Sequence, residues 1–369
     1  MVLELSTIIF TDQDDIVPAL GMEETSISIS NGIGIDTGEG NDIITGIGQE
    51  GVNPDMGPES SGIWISFSSI NTGDGNDTLI GTGSLSGINN YFGSIETGNG
   101  KDIITGTGRF GIINYNLLNT GDGNDTIIGN GGFGGYGFGI FNSLGLINTG
   151  AGRDIITGTS VDDGIVNGGG LIDTGAGKDI ITGISYAINN SSSSTLDSGD
   201  GNDIIPGSGF GISNATGSTI DSGDSDDIIT GIGNTGIHNN GIINTGNGAD
   251  SIIAFGGIYN DNTINTGDGA DSIIANGGFF SNFNNNGIVF LGNGQDYIEG
   301  FGSGKFDGGD GNDTLKLTSG SYTVGIGDTT LTLTSGNVSM ITSNFEQLKA
   351  GNTTYRIRSL NEGQIIFVA

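Results

Sequence analysis

The sequence predicts an all-β protein, a right-handed parallel β-helix or β-roll solenoid of about twelve coils with a cap at each end. Three observations predict it. A turn-and-strand unit, plain in Asn119–Gly131 (N-T-G-D-G-N-D-T-I-I-G-N-G), recurs twelve times. Its leading glycine falls at Gly38, Gly73, Gly98, Gly121, Gly150, Gly175, Gly199, Gly223, Gly246, Gly267, Gly292 and Gly309, at gaps of 17 to 35 residues, most of them 21 to 25. A period near 24 residues is the mark of stacked coils. Each unit closes on a short apolar run bounded by glycine, which reads as a buried strand. Between units a second signature recurs, as in Gly111-Ile112-Ile113-Asn114 and Gly236-Ile237-His238-Asn239. A third piece, such as Gly241-Ile242-Ile243-Asn244-Thr245, leads into the next turn. Three strands per coil favour a β-helix over a two-strand roll.

Taken in order, residues 1–34 read as the N-terminal cap, in which Ser26–Ser30 alternates like a strand. This segment lacks the basic and apolar regions of a secretory signal peptide. Gln49–Ser61, with Pro54 and Pro58, reads as a surface loop that lengthens the first gap. Residues 35–317 are the repeats. The insertions Gly131–Gly139 and Phe279–Asn286 place Phe133, Tyr136, Phe138, Phe279, Phe280 and Phe283 on loops, read as local packing over the coil. Residues 318–369 read as a C-terminal β cap: Thr329–Thr334 and Thr353–Arg358 alternate, and Asn344–Lys349 suggests a helical turn.

Within the repeat an Asp never fails: Asp42, Asp77, Asp102, Asp125, Asp154, Asp179, Asp203, Asp227, Asp250, Asp271, Asp296 and Asp313. The glycine two residues earlier fails once, at Ser225. Pairs such as Ile43-Ile44, Ile127-Ile128 and Ile252-Ile253 are expected to fill the coil interior. Stacking puts the Asp in one column about 4.8 Å apart. Neighbouring charges there repel by about 3–4 kcal/mol at an effective dielectric of 20, so a column of them would outweigh the ~5–15 kcal/mol by which a domain is stable. Nine Lys and Arg against 42 Asp and Glu cannot neutralise it. Lys101, Arg153 and Lys178 precede the Asp in their copies and could offset it there. Elsewhere a hard divalent cation suits carboxylates and backbone carbonyls, and Ca²⁺ takes roughly six to eight such oxygens.

These residues resemble the haemolysin-type, or repeats-in-toxin, calcium-binding proteins. Gly308–Lys316 matches their nonapeptide G-G-x-G-x-D-x-(apolar)-x throughout, while Thr or Ser replaces the first glycine in ten copies and Leu291 in one. The resemblance covers Asp36–Leu317. It implies several Ca²⁺ ions along one edge, held by the twelve Asp with the backbone carbonyls of Gly38, Gly40, Gly73, Gly75, Gly98, Gly100, Gly121, Gly123, Gly199, Gly201, Gly267, Gly269, Gly309 and Gly311. It also implies one-step (type I) export on a C-terminal signal to the extracellular space or cell surface, where calcium completes folding.

A net charge of −33 excludes a general nucleic-acid or anionic-membrane binder, and 26 of the 42 acidic residues lie in the motifs. No run is long enough for a membrane span. Cys is absent, and His238 is the only His, in a strand. The Asn and Thr columns (Thr72, Thr97, Thr120, Thr149, Thr174) read as structural ladders. The expected role is structural, adhesive or matrix-forming, with calcium, cell-surface glycans or further copies as partners, and not enzymatic. A carbohydrate-active lyase or hydrolase, with Arg153, Lys178 or Lys101 as base, is the alternative. An ice-binding solenoid is another, although ice-binding repeats place Thr where this chain has Glu39, Asp74, Asn99 or Ala151.

Overall fold

The computed structural model describes residues 11–17, 27–30, 32, 34–48, 60–132, 136–280 and 287–369. Most of the loop expected at Gln49–Ser61, along with Phe133, Phe283 and Ser26, lies outside them. The chain divides into two compact units, Met1–Gly199 and Asp200–Ala369.

Both units are parallel β-solenoids in which each coil contributes one strand to each of three sheets. Sheet A receives the strand that follows each Asp. In the first unit its strands run from Ile43–Ile47 through Thr78–Thr82, Ile103–Thr107, Thr126–Asn130 and Ile155–Thr159 to Ile180–Ile184. Sheet B holds the G-I-x-N segments, such as Phe110–Asn114, and sheet C the short third strands, such as Leu117–Asn119. Register is kept from coil to coil, Ile104 pairing with Leu79 on one side and Ile127 on the other.

Alternation decides the core. Ile44, Leu79, Ile104, Ile127, Ile156 and Ile181 are fully buried, while the residue on either side of each faces outward. Only one member of each apolar pair is therefore internal: Ile44 and not Ile43, Ile127 and not Ile128, Ile252 and not Ile253. The expectation that both fill the interior was wrong, because a strand cannot aim consecutive side chains the same way. The next inward position in sheet A is glycine (Gly46, Gly81, Gly106), where a side chain would strike the sheet B backbone, Gly87 O in the case of Gly81. The coil is thin there.

The predicted Asn ladder runs inside the corner between sheets B and C. Asn90 Nδ2 donates to Asn114 Oδ1 at 2.8 Å, Asn114 to Asn142 at 2.9 Å, Asn142 to Asn167 at 2.9 Å and Asn167 to Asn190 at 3.0 Å. In the second unit Asn214 and Asn239 continue the pattern to Asn260. The second unit ends differently: Gly320–Ile326, Thr330–Ser335, Val338–Ser343 and Ile365–Val368 pair antiparallel. Asn344–Lys349 makes no helical turn. Gln347–Ala350 is a strand paired in parallel with Thr314–Leu317, so its Gln-Leu-Lys-Ala alternation wins over local helix preference.

Candidate metal column

Each turn is built from sheet C forward. The side-chain oxygen of Asp36, Asn71, Asn148, Asp173, Asp197 or Asp307 accepts the amide of the leading glycine two residues on, at 2.9–3.3 Å. That glycine takes φ near +80° (Gly38 +86°, Gly73 +78°, Gly121 +80°), the left-handed region. It also has no room for a side chain, since a Cβ on Gly73 would overlap Gly38 O in the preceding turn. The glycine carbonyls of one turn thus face the glycines of the next. Ser225, at φ +93°, is the one non-glycine that takes the second place.

The chain then turns inward, and every motif Asp is at most 1% exposed. One carboxylate oxygen has a fixed partner. Within the first unit the amides of Asp15, Asp42, Asp77, Asp102, Asp125 and Asp154 donate to Oδ1 of the Asp one coil on, at 2.7–2.8 Å. Within the second, Asp203 to Asp313 repeat this step at 2.8–2.9 Å. The other oxygen is different. Oδ2 of Asp42, Asp77, Asp102, Asp125, Asp154, Asp227, Asp250, Asp271, Asp296 and Asp313 is buried, with no hydrogen bond of ordinary geometry reaching it.

A buried oxygen lacking a partner destabilises the charged form. Burial therefore pushes Asp77 up to about 6, Asp102 and Asp154 to about 7, and Asp227 to about 8. Asp250, Asp271, Asp296 and Asp313 rise to about 6 for the same reason, and Asp125 rises too. The amide donors and the neighbouring hydroxyls of Thr72, Thr97, Thr120, Thr149, Ser222, Thr245 and Thr266 work in the opposite direction and are outweighed.

The donor set is all oxygen, with one carboxylate per level beside backbone carbonyls. No cluster of three or more Asp, Glu or His forms among the described residues. The open carboxylate oxygens suit a hard cation. Lys101, Arg153 and Lys178 are exposed and do not pair with the column: Lys316–Glu299, at 2.8 Å, is the one ion pair among the described residues. The acids between the glycines form a separate, exposed ladder, with Asp74 accepting from Asn99 and Asp224 from Asn247.

In each unit one end of the column carries no motif. Asp15 occupies the Asp place one coil before Asp42, with Ile16–Val17 pairing to Ile43–Ile44. Glu346 accepts the Asp313 amide at 2.8 Å, as a further Asp would. Neither has the flanking glycines by which the repeat was recognised; only the acid followed by an alternating run was available as a signal. His238 lies on the outer side of sheet B beside Tyr259, ring centroids 5.8 Å apart.

Sequence reading also passed over the outer side of sheet A in the first unit. The six strands from Ile43–Ile47 to Ile180–Ile184 present eighteen outward positions, and these are nine Thr, eight Ile and Asn130. Ile43, Ile47, Ile103 and Ile184 are 37–45% exposed. The alternating Thr and Ile were legible; what hid them was assigning the whole apolar run to the core.

Fold and column together define a parallel β-solenoid with acidic, glycine-rich turns. No protein-family description matches the chain, and no curated protein does. Among solved structures it is similar to a hyperactive, Ca²⁺-dependent, β-helical antifreeze protein from an Antarctic bacterium. The two share 17% identity at a TM-score of 0.53, over 95% of this chain and 96% of that one. At that identity the likeness is one of fold.

Proposed function

We propose that the chain is a calcium-loaded, extracellular β-solenoid that adheres to ice through the outer side of sheet A in its first unit. The charge-free Thr/Ile array carries this reading. A chain of net charge −33 keeps eighteen neighbouring surface positions free of any ionisable group. Parallel sheets are ordinarily covered on both faces, and an exposed apolar sheet side of this kind marks a binding surface. Methyl and hydroxyl groups recur about 4.8 Å apart across strands and about 6.7 Å apart along them. β-Branched side chains hold a restricted χ1, so the array is stiff. Such a surface can hold water in a fixed lattice, where a charge would reorient it. The similar antifreeze structure supports the same reading.

The twelve motif Asp, with the glycine carbonyls of their turns, are the proposed calcium ligands, and the open Oδ2 atoms of Asp42, Asp77, Asp102, Asp125, Asp154, Asp227, Asp250, Asp271, Asp296 and Asp313 are the reason. Bound calcium supplies the positive charge that keeps these carboxylates ionised. The turns in consequence hold the coils in register, and register sets the spacing of the Thr/Ile array. The role is adhesive and not enzymatic.

The test is ice growth in the presence of the calcium-loaded protein. Faceted crystals and a measurable freezing-point gap are expected. Ile128→Lys should abolish both, while Leu146→Lys on sheet C should leave them intact. Round crystals with folded, calcium-loaded protein would refute the reading.

A further inference from the structure

The outer side of sheet B in the first unit is unlike either neighbour. Trp64, Tyr91, Tyr115 and Phe141 form a file of rings across four coils, with centroids 6.0, 5.7 and 6.0 Å apart. Phe138 stacks on Phe141 at 5.4 Å, and Phe110 lies 5.7 Å from Phe138. These rings wall a groove of about 630 Å³. Phe138 packs over the coil as expected, against Phe141 and Phe110, and the rings it joins also line open space.

Two polar groups in that groove have unfilled bonding capacity. Arg109 is half-buried at the groove wall, 5.5 Å from the Phe110 ring centre, and its Nε donates to Tyr136 O at 2.6 Å. No carboxylate pairs with it, since the one ion pair among the described residues is Lys316–Glu299. Its terminal nitrogens stay available. Asn89 lines the groove, is 5% exposed, and has no hydrogen-bond partner for Oδ1.

We propose that this groove binds a saccharide bearing a carboxylate, of the uronic-acid class. The apolar faces of sugar rings lie against flat aromatic side chains, and a few convergent polar groups fix their orientation. A carboxylate matches the planar guanidinium fork of Arg109, and a sugar hydroxyl supplies the donor that Asn89 Oδ1 lacks. Charge fixes the choice among saccharides. The chain repels anions over most of its surface, and a lone guanidinium among aromatic rings is where one can settle. The site is separate from the Thr/Ile array and does not depend on ice binding.

Trp64 is the only tryptophan and serves as the reporter. Its fluorescence would be followed while a galacturonate hexamer, and separately a neutral glucose hexamer, is titrated into the full chain at clamped free calcium. A saturable shift is expected with the galacturonate hexamer and a much weaker one with the neutral sugar. Arg109→Gln should weaken galacturonate binding on the order of tenfold, and Arg109→Lys less, with both variants giving the wild-type circular dichroism spectrum. No saturable shift, or equal affinity for the two sugars, would overturn the proposal. So would Arg109→Gln binding as wild type does, or the groove being filled by a second copy, seen as dimerisation in sedimentation without sugar. Asn89→Ala gives an independent variant, expected to weaken binding while leaving the charge in place.

Discussion

The two units share a core and differ on one surface. In both, sheet A sends one Ile or Leu inward per coil, the Asp step repeats at nearly one distance, and Asn side chains ladder within a corner. Outward, the first unit repeats Thr and Ile without a charge. The second opens with Pro206 in its first strand, repeats the pattern once at Ile228 and Thr230, and then departs: Ser251 and Ser272 replace Thr or Ile, and Tyr297, Glu299 and Lys316 follow. The fold therefore tolerates Pro, Ser, Tyr, Glu and Lys at outward positions. Packing does not demand Thr and Ile there, and strand propensity accounts for them only in part. Their regularity in one unit points to what that unit touches.

Calcium removal should erase the comparison altogether, and it has the largest expected effect. Stripped by chelator at pH 8, both units should lose their β circular dichroism, because ionised carboxylates then face one another unscreened; a spectrum indifferent to chelator would end the calcium reading. The metal-free chain should also answer to pH. Asp77, Asp102, Asp154, Asp227, Asp250, Asp271, Asp296 and Asp313 are raised to about 6 to 8 in the folded chain, above the unfolded value of about 3.9. Folded protein thus holds more protons than unfolded, and stability falls as pH rises. That stability is fully present below about pH 4 and is lost as pH passes through the folded values of about 6 to 8. Melting temperatures of chelated protein should accordingly be higher at pH 4.5 than at pH 8. Calcium competes with those protons, so its affinity should rise over the same window.

Core substitutions come next and should not distinguish the units. Ile104→Ala in the first and Ile252→Ala in the second each remove a fully buried side chain and should cost about 2–5 kcal/mol in urea unfolding of the calcium form. A marked difference between them would mean that the second unit relaxes around cavities as the first does not. Asn142→Ala should cost less, about 1–3 kcal/mol, by leaving Asn114 Nδ2 and the carbonyls of Gly145 and Leu171 without the Asn142 amide.

Much of this was legible in the chain. Period, three-strand coil, Asn ladder and Asp column follow from recurrence alone, because stacked coils force equivalent residues into files. What recurrence could not settle was parity. Whether Ile127 or Ile128 faces inward depends on where the preceding Asp side chain points, a property of the folded turn. Asp15 and Glu346 stayed hidden for another reason: a turn that borrows its register from a neighbouring coil needs no glycine signature of its own. The aromatic groove was out of reach because Trp64, Tyr91, Tyr115 and Phe141 form one file only when four coils stack.

The smallest effect on stability is the sharpest test of the comparison. Ile128→Lys and Ile253→Lys alter outward residues at the same strand position in the two units, and neither removes a core contact. Each should change unfolding free energy by no more than about 0.5 kcal/mol. Ice growth should separate them. The first places a charge in the middle of the Thr/Ile array and should abolish faceting; the second falls where Ser251, Phe255 and Ser272 already break the array, and should leave activity unchanged. Equal loss from both would assign the activity to the sheet A strands of both units. Equal retention would mean that the Thr/Ile regularity reflects strand propensity alone, and the adhesive surface would have to be sought on another side of the coil.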